Sequence, residues 1–185
     1  MIATGRNVEM KARCFDLGIA RDRAAALGAR SADLLLQSDT YFRCHRGRLK
    51  LREFSDRPAE LISYLRADQT GPRTSLFHRT LIPEPERLKP LLADALGLLG
   101  VVAKRRELWL FEPAAAVAVP HVRIHLDEVE RLGTFLEFEA IMPATADDAA
   151  GVAVVEHLCR HFGLERDDFI PQSNIDLLLA LGAPA

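Results

Sequence analysis

Cysteine is scarce in this sequence, and its spacing does not suggest pairing. Cys14, Cys44 and Cys159 stand far apart with no CxxC spacing, which argues against a disulfide framework and against a zinc site. Long apolar runs are missing as well. None reaches the length of a membrane span, and Glu9, Lys11 and Arg13 interrupt the N-terminal stretch before it resembles the core of a signal peptide. The expectation is a cytoplasmic protein with reduced thiols and no membrane partner. Excess charge of one sign is also lacking. The formal net charge is −2, so no global field selects a nucleic-acid polymer or an anionic membrane. Any anion site has to come from local clustering of Lys and Arg. With no internal repeat and no linker-like stretch, the 185 residues, 49% hydrophobic and 27% charged, suit one globular domain over 1–185.

Two patterns fill the chain. Alternating stretches at 7–15, 47–54, 60–67, 74–82, 101–111, 121–127 and 134–142 read as half-buried strands. Gly47, Pro58, Gly71-Pro72, Pro83, Pro113 and Pro143 punctuate them. Helical patterns cover 21–36, rich in Ala and Leu, 85–99 with a Leu/Ala face, 147–162, and 173–181 with Ser173 or Asn174 as cap. The low-complexity segment 112–120 reads as a loop. Short turns between neighbouring strands favour hairpins over βαβ crossovers, which makes the fold class α+β around an antiparallel sheet.

Sorting the strands by parity returns one arrangement repeatedly. Glu9, Lys11 and Arg13 oppose Val8, Met10 and Ala12; Arg48, Lys50 and Arg52 oppose Leu49 and Leu51; Arg123, His125 and Asp127 oppose Val122, Ile124 and Leu126. Tyr64 shares a face with Arg66, Lys104 with Arg106, and Glu137 with Glu139. Water on one side of a sheet would explain any single strand. It explains the set less well, because these faces hold few neutral polar residues. If the sheet closes, its interior gathers nine bases, Lys11, Arg13, Arg48, Lys50, Arg52, Arg66, Lys104, Arg106 and Arg123, against four acids, Glu9, Asp127, Glu137 and Glu139. A buried excess of that sign requires a polyanion. Converging Glu9, Glu137 and Glu139 suit a hard divalent cation, Mg²⁺ or Mn²⁺.

The same residues resemble a family. Asn7-Val8-Glu9-Met10-Lys11 is similar to the E-x-E-x-K signature of the CYTH superfamily, the triphosphate tunnel metalloenzymes, with Asn7 in place of its first Glu. Gly47–Arg52, Lys104–Arg106 and Val122–Asp127 resemble that family's later strands, and Phe135–Glu139 its closing F-x-E-x-E strand. Gln37–Phe42 resembles the class IV adenylyl cyclase-like branch. The resemblance implies a closed eight-stranded antiparallel barrel forming a tunnel, and a metal-dependent enzyme acting on ATP, thiamine triphosphate or tripolyphosphate. Cyclisation of ATP to cyclic AMP and pyrophosphate leads, with hydrolysis of an inorganic or thiamine triphosphate, or binding without turnover, as alternatives.

The nine bases then become phosphate ligands, with Arg13 and Arg48 nearest the strand ends, and Lys11, Arg66 and Asp127 the candidates for action on the reacting phosphate. Glu9, Glu137, Glu139 and Asp127 are the candidate metal ligands. Asp127 could equally cap a turn at 128–132, and Asn7 could only open its strand. His125 reads as a hydrogen-bonding spacer, Tyr64 as packed, Arg105 as outward, and His157 with His161 as a solvated helix face. Whether the chain forms a homodimer is left open.

Overall fold

The computed structural model describes residues 2–114 and 117–182. Its core is one closed barrel of eight antiparallel strands: β1 (Ala3–Arg13), β2 (Arg30–Phe42), β3 (Arg48–Phe54), β4 (Ala59–Arg66), β5 (Arg73–Ile82), β6 (Leu98–Phe111), β7 (Val122–Val129) and β8 (Gly133–Met142). Around the barrel the order is β1-β5-β4-β3-β2-β6-β7-β8, and β8 closes onto β1. Four helices flank it: α1 (Leu17–Ala26), α2 (Pro85–Leu96), α3 (Asp148–His161) and α4 (Asn174–Ala180).

One predicted element is wrong. The helix expected over 21–36 stops at Ala26, and Arg30 opens the strand β2. Gly28, at φ 84°, turns the chain out of the helix. Beyond it, β2 pairs with β6 from Arg30 to Phe42 and with β3 from Gln37 to Phe42. The ladder to β6 outweighs the helix propensity of Leu34, Leu35 and Leu36. A smaller shift occurs at α2, which ends at Gly97, so β6 begins at Leu98 rather than 101. Ser173 is the cap of α4, accepting from the Asp176 amide. The expected loop at 112–120 carries no helix or strand where it is described; 115 and 116 lie outside the described residues.

The outward faces of β1, β7 and β8 supply the main apolar core. Val8, Met10, Ile124, Leu126 and Phe138 pack there with Val155, Leu158 and Phe162 from α3 and its end. Inside the barrel, one end is filled by a separate apolar layer. Tyr41, Val102, Val129 and Phe135 point inward and meet Ile175 and Leu178 of α4, which therefore seals that end. At a second point the wall comes very close to a side chain. Gly5 faces Phe77 in the β1–β5 ladder, and a Cβ on Gly5 would lie 2.3 Å from the Phe77 ring. Among the described residues no helix is long and apolar enough to cross a membrane.

Candidate active site inside the barrel

Antiparallel register turns the sequence parity into two cross-strand rows. Lys11 lies opposite Glu137, which lies opposite His125. One step along, Glu9 lies opposite Glu139, which lies opposite Arg123, while Arg73 flanks Glu9 on the other side. Of these, Glu9, Lys11, Arg123, Glu137 and Glu139 line a cavity of about 130 Å³ with Lys50, Arg52, Arg66, Lys104 and Arg106, and His125 and Arg73 are their neighbours in the ladders. A wider groove of about 880 Å³ runs over β2, β6 and the β7–β8 turn. Charges on it pair locally, Lys89 with Glu53 and Arg105 with Glu128, so the barrel interior is the candidate anion site.

The buried charges form three groups. Asp39, 1% exposed, accepts from Lys50 at 2.9 Å and from Arg52 at 2.7 and 2.8 Å. Burial alone would raise its pKa, but Arg52 and Lys50 hold the carboxyl well below the usual range. Asp127 accepts twice from Arg106, and Lys104 stands 3.5 Å away. Burial, and then the neighbouring Arg106, pull the Lys104 ammonium down to about 7. In the third group, Arg66 donates to Glu9 at 2.9 Å, and Arg106 donates to Glu137 at 2.7 Å. Burial and the nearby Glu137 raise Glu9, whereas at Glu137 burial is outweighed by Lys11, His125 and Arg106 together, which hold it well below the usual range.

The model of the CYTH domain family matches residues 5–173. This chain belongs to the CYTH domain family. Among solved structures, the PH1012 protein of Pyrococcus horikoshii OT3 is 23% identical, with 92% of this chain and 98% of that chain covered and a TM-score of 0.77. A candidate adenylate cyclase from Vibrio parahaemolyticus is 18% identical over 95% of this chain and 98% of its own, with a TM-score of 0.67. HpAC1 of Hippeastrum, a candidate adenylyl cyclase described as having a dominant triphosphatase activity, is 16% identical over 97% of each chain, with a TM-score of 0.59. At these identities the likeness is one of fold. Comparison with curated protein sequences finds no match.

This CYTH barrel places seven of the nine expected phosphate ligands on the cavity wall: Lys11, Lys50, Arg52, Arg66, Lys104, Arg106 and Arg123. The other two are directed elsewhere. Arg13 lies over the Phe135 ring and donates to the Leu132 carbonyl at 2.6 Å. Arg48 is tied to Asp68 and Asp176 at the sealed end. Both sit at strand termini, where the chain leaves the barrel and local acceptors are closer than the tunnel. The four expected metal ligands also divide. Ligand atoms of Glu137, Glu139 and His125 lie within 4.8 Å of one another. Glu9 stands apart from that group beside Arg66. Asp127 does too, with both carboxylate oxygens bonded to Arg106; it lies within β7 and caps no helix. Arg105 faces outward and pairs with Glu128, and His157 is exposed.

Three contributors escaped the sequence reading. Asp39 lies just past the helix expected over 21–36, in the segment 37–42 where no strand is expected; the β2 strand pattern puts it inward. Arg73 begins β5 one residue before the expected start at 74. Asn174, whose Oδ1 accepts from Lys11 at 2.6 Å, arrives from a helix that only tertiary packing brings to the barrel. Asp39 and Arg73 cancel in charge, so the net positive excess is smaller than parity implied only because Arg13 and Arg48 are directed elsewhere.

Several buried polar atoms have no hydrogen-bond partner among the described residues: Asn7 Oδ1, His125 Nδ1, Arg66 Nε and Arg73 Nε. Buried groups of this kind are normally hydrogen-bonded. Two are ligand atoms suited to a cation and two are N–H donors suited to an anion. The donor set therefore fits a divalent cation held by Glu137 and Glu139 next to an anion held by the arginines.

Proposed function

We propose that the tunnel binds a triphosphate-bearing small molecule with a divalent cation, Mg²⁺ or Mn²⁺, and hydrolyses it. The observation that carries this reading is the row of cationic side chains on the cavity wall with the Glu137–Glu139 pair beside it. Lys11, Lys50, Arg52, Arg66, Lys104, Arg106 and Arg123 hold phosphate oxygens and keep the chain in line for attack. Glu137 and Glu139 hold the cation, and Glu9, across the ladder from Glu139, is engaged by Arg66. A bound cation supplies neutralisation of charge developing on the transferring group. Water attacks the terminal phosphorus, the bond to the bridging oxygen breaks, and phosphate leaves with one proton released.

Hydrolysis is favoured over cyclisation by size. A cavity of about 130 Å³ sealed by α4 is below the roughly 300 Å³ at which pockets for larger organic ligands begin. A cavity of that size suits a phosphate chain better than a whole nucleotide. The same geometry leaves open which triphosphate is used.

The test is incubation with tripolyphosphate, thiamine triphosphate and ATP, each with Mg²⁺ or Mn²⁺, assaying phosphate, pyrophosphate and cyclic AMP together. Metal-dependent phosphate release that disappears in Glu137→Gln supports the reading. Pyrophosphate with cyclic AMP would establish cyclisation instead. No product, together with a rise in melting temperature on adding tripolyphosphate, would make the chain a binding module.

A further inference from the structure

His125 does not behave as a spacer. It is 4% exposed, and its Nδ1 has no hydrogen-bond partner among the described residues. A spacer histidine inside a barrel would be held by at least one hydrogen bond, since an unmade buried one is costly. The β7–β8 ladder sets the ring directly opposite Glu137, and Nδ1 stands 3.8 Å from Glu137 Oε2 and 3.8 Å from Glu139 Oε1. That is too long for a hydrogen bond. It is within reach for atoms that share one ion, because two ligands each about 2.1 Å from a metal are at most roughly 4.2 Å apart. Glu139 lacks any hydrogen-bonded partner closer than Arg123, at 3.5 Å, so it too is available.

We propose that His125 Nδ1 is a ligand of the tunnel's cation, alongside Glu137 and Glu139, and that it shifts the site's preference toward Mn²⁺, Co²⁺ and Zn²⁺ and away from Mg²⁺ and Ca²⁺. The assignment rests on the reading that the tunnel holds a divalent cation. Its chemistry is that of the donor atoms. Mg²⁺ and Ca²⁺ take oxygen almost exclusively, whereas imidazole nitrogen suits the borderline first-row ions. Asn7 acts in the same direction. Where a second charged carboxylate would favour a hard cation, this chain offers a neutral amide oxygen, itself without a partner.

The experiment is pulsed electron paramagnetic resonance of Mn²⁺ bound to the full chain, prepared with natural and with ¹⁵N-labelled histidine. Nitrogen modulation that changes with the label is the expected result. Direct titrations should show Mn²⁺ affinity falling about 10–100-fold in His125→Gln, the range known for groups that tune a metal site, with Mg²⁺ affinity little changed. Mn²⁺ that binds without nitrogen modulation, or equal losses of Mn²⁺ and Mg²⁺ affinity in His125→Gln, would overturn the assignment while leaving the cation site standing. Absence of any Mn²⁺ binding would overturn both. The isotope comparison on the unsubstituted chain decides the matter even where the variant fails to fold.

Discussion

Arg106 and Asp127 face each other across the β6–β7 ladder and are joined by two hydrogen bonds of 2.6 Å, with both residues buried. Arg106 extends the contact to Glu137, so one guanidinium couples the basic side of the tunnel to its carboxylates. Replacing Asp127 with Ala leaves Arg106 and Lys104 buried without their counter-ion. The expected cost is about 3–5 kcal/mol of stability, the range for breaking a buried pair from one side. Urea unfolding measures it. A loss no larger than that of a surface substitution would mean that Arg106 finds another partner.

Asp39 carries a pH dependence whose sign follows from its lowered pKa. A carboxylate held below its unfolded value stabilises the fold above pH ~4, and that contribution is lost as pH falls through the folded value. Asp39→Asn is therefore expected to be less stable at pH 7, with the difference narrowing below pH ~4. Thermal melts of both proteins across that window test it, and a constant difference would refute the role given to Arg52 and Lys50.

Lys104 has the opposite sense. Its lowered value of about 7 means that the charged form costs stability below pH ~7, a cost that fades as pH rises toward the unfolded value near 10.4. An anion in the tunnel favours the ammonium. Tripolyphosphate binding is expected to take up a proton above pH 7 and to weaken as pH rises, at most about tenfold per pH unit for this one group. Calorimetry in two buffers of different ionisation enthalpy reads the uptake. Lys104→Met should lower it, and unchanged uptake would assign the proton to another group.

Asn7 stands in the position of a carboxylate without the charge. Ligand charge tunes cation affinity, so Asn7→Asp is expected to tighten Mg²⁺ about tenfold and to narrow the preference for Mn²⁺. Titration of both metals checks this. No change in either affinity would place Asn7 outside the cation's reach.

Gly5 has no room for a side chain beneath Phe77. Gly5→Ala is expected to cost about 1–3 kcal/mol by overpacking, unless the ring swings into the tunnel. Unfolding measurements give the first outcome; unchanged stability with weakened tripolyphosphate binding would identify the second.

Much of the site was legible in strand parity, because a period of two is a property of the backbone and needs no knowledge of partners. Glu9, Lys11, Lys50, Arg52, Lys104, Arg106, Arg123, Glu137 and Glu139 can all be sorted onto one face from the sequence, and the family resemblance closes that face into a tunnel. The errors have a shared origin. The 21–36 segment has helix-forming composition, and only its pairing with β6 makes its second half a strand. Arg13 and Arg48 have inward parity, yet neighbouring carbonyl and carboxylate groups at the barrel ends take them away from the cavity.

What the sequence determined by itself is the alternation that separates charged from apolar faces, and with it the strongly cationic character of one face. Tertiary structure alone decided which charges cancel. Asp39 quiets Lys50 and Arg52, Arg106 occupies Asp127, α4 closes one end, and His125 is left beside Glu137 and Glu139 with a free nitrogen. The reason is physical. Parity depends on adjacent residues, whereas the Coulomb energy of a buried group depends on what stands within a few ångströms of it, and that is set by register between strands far apart in the chain.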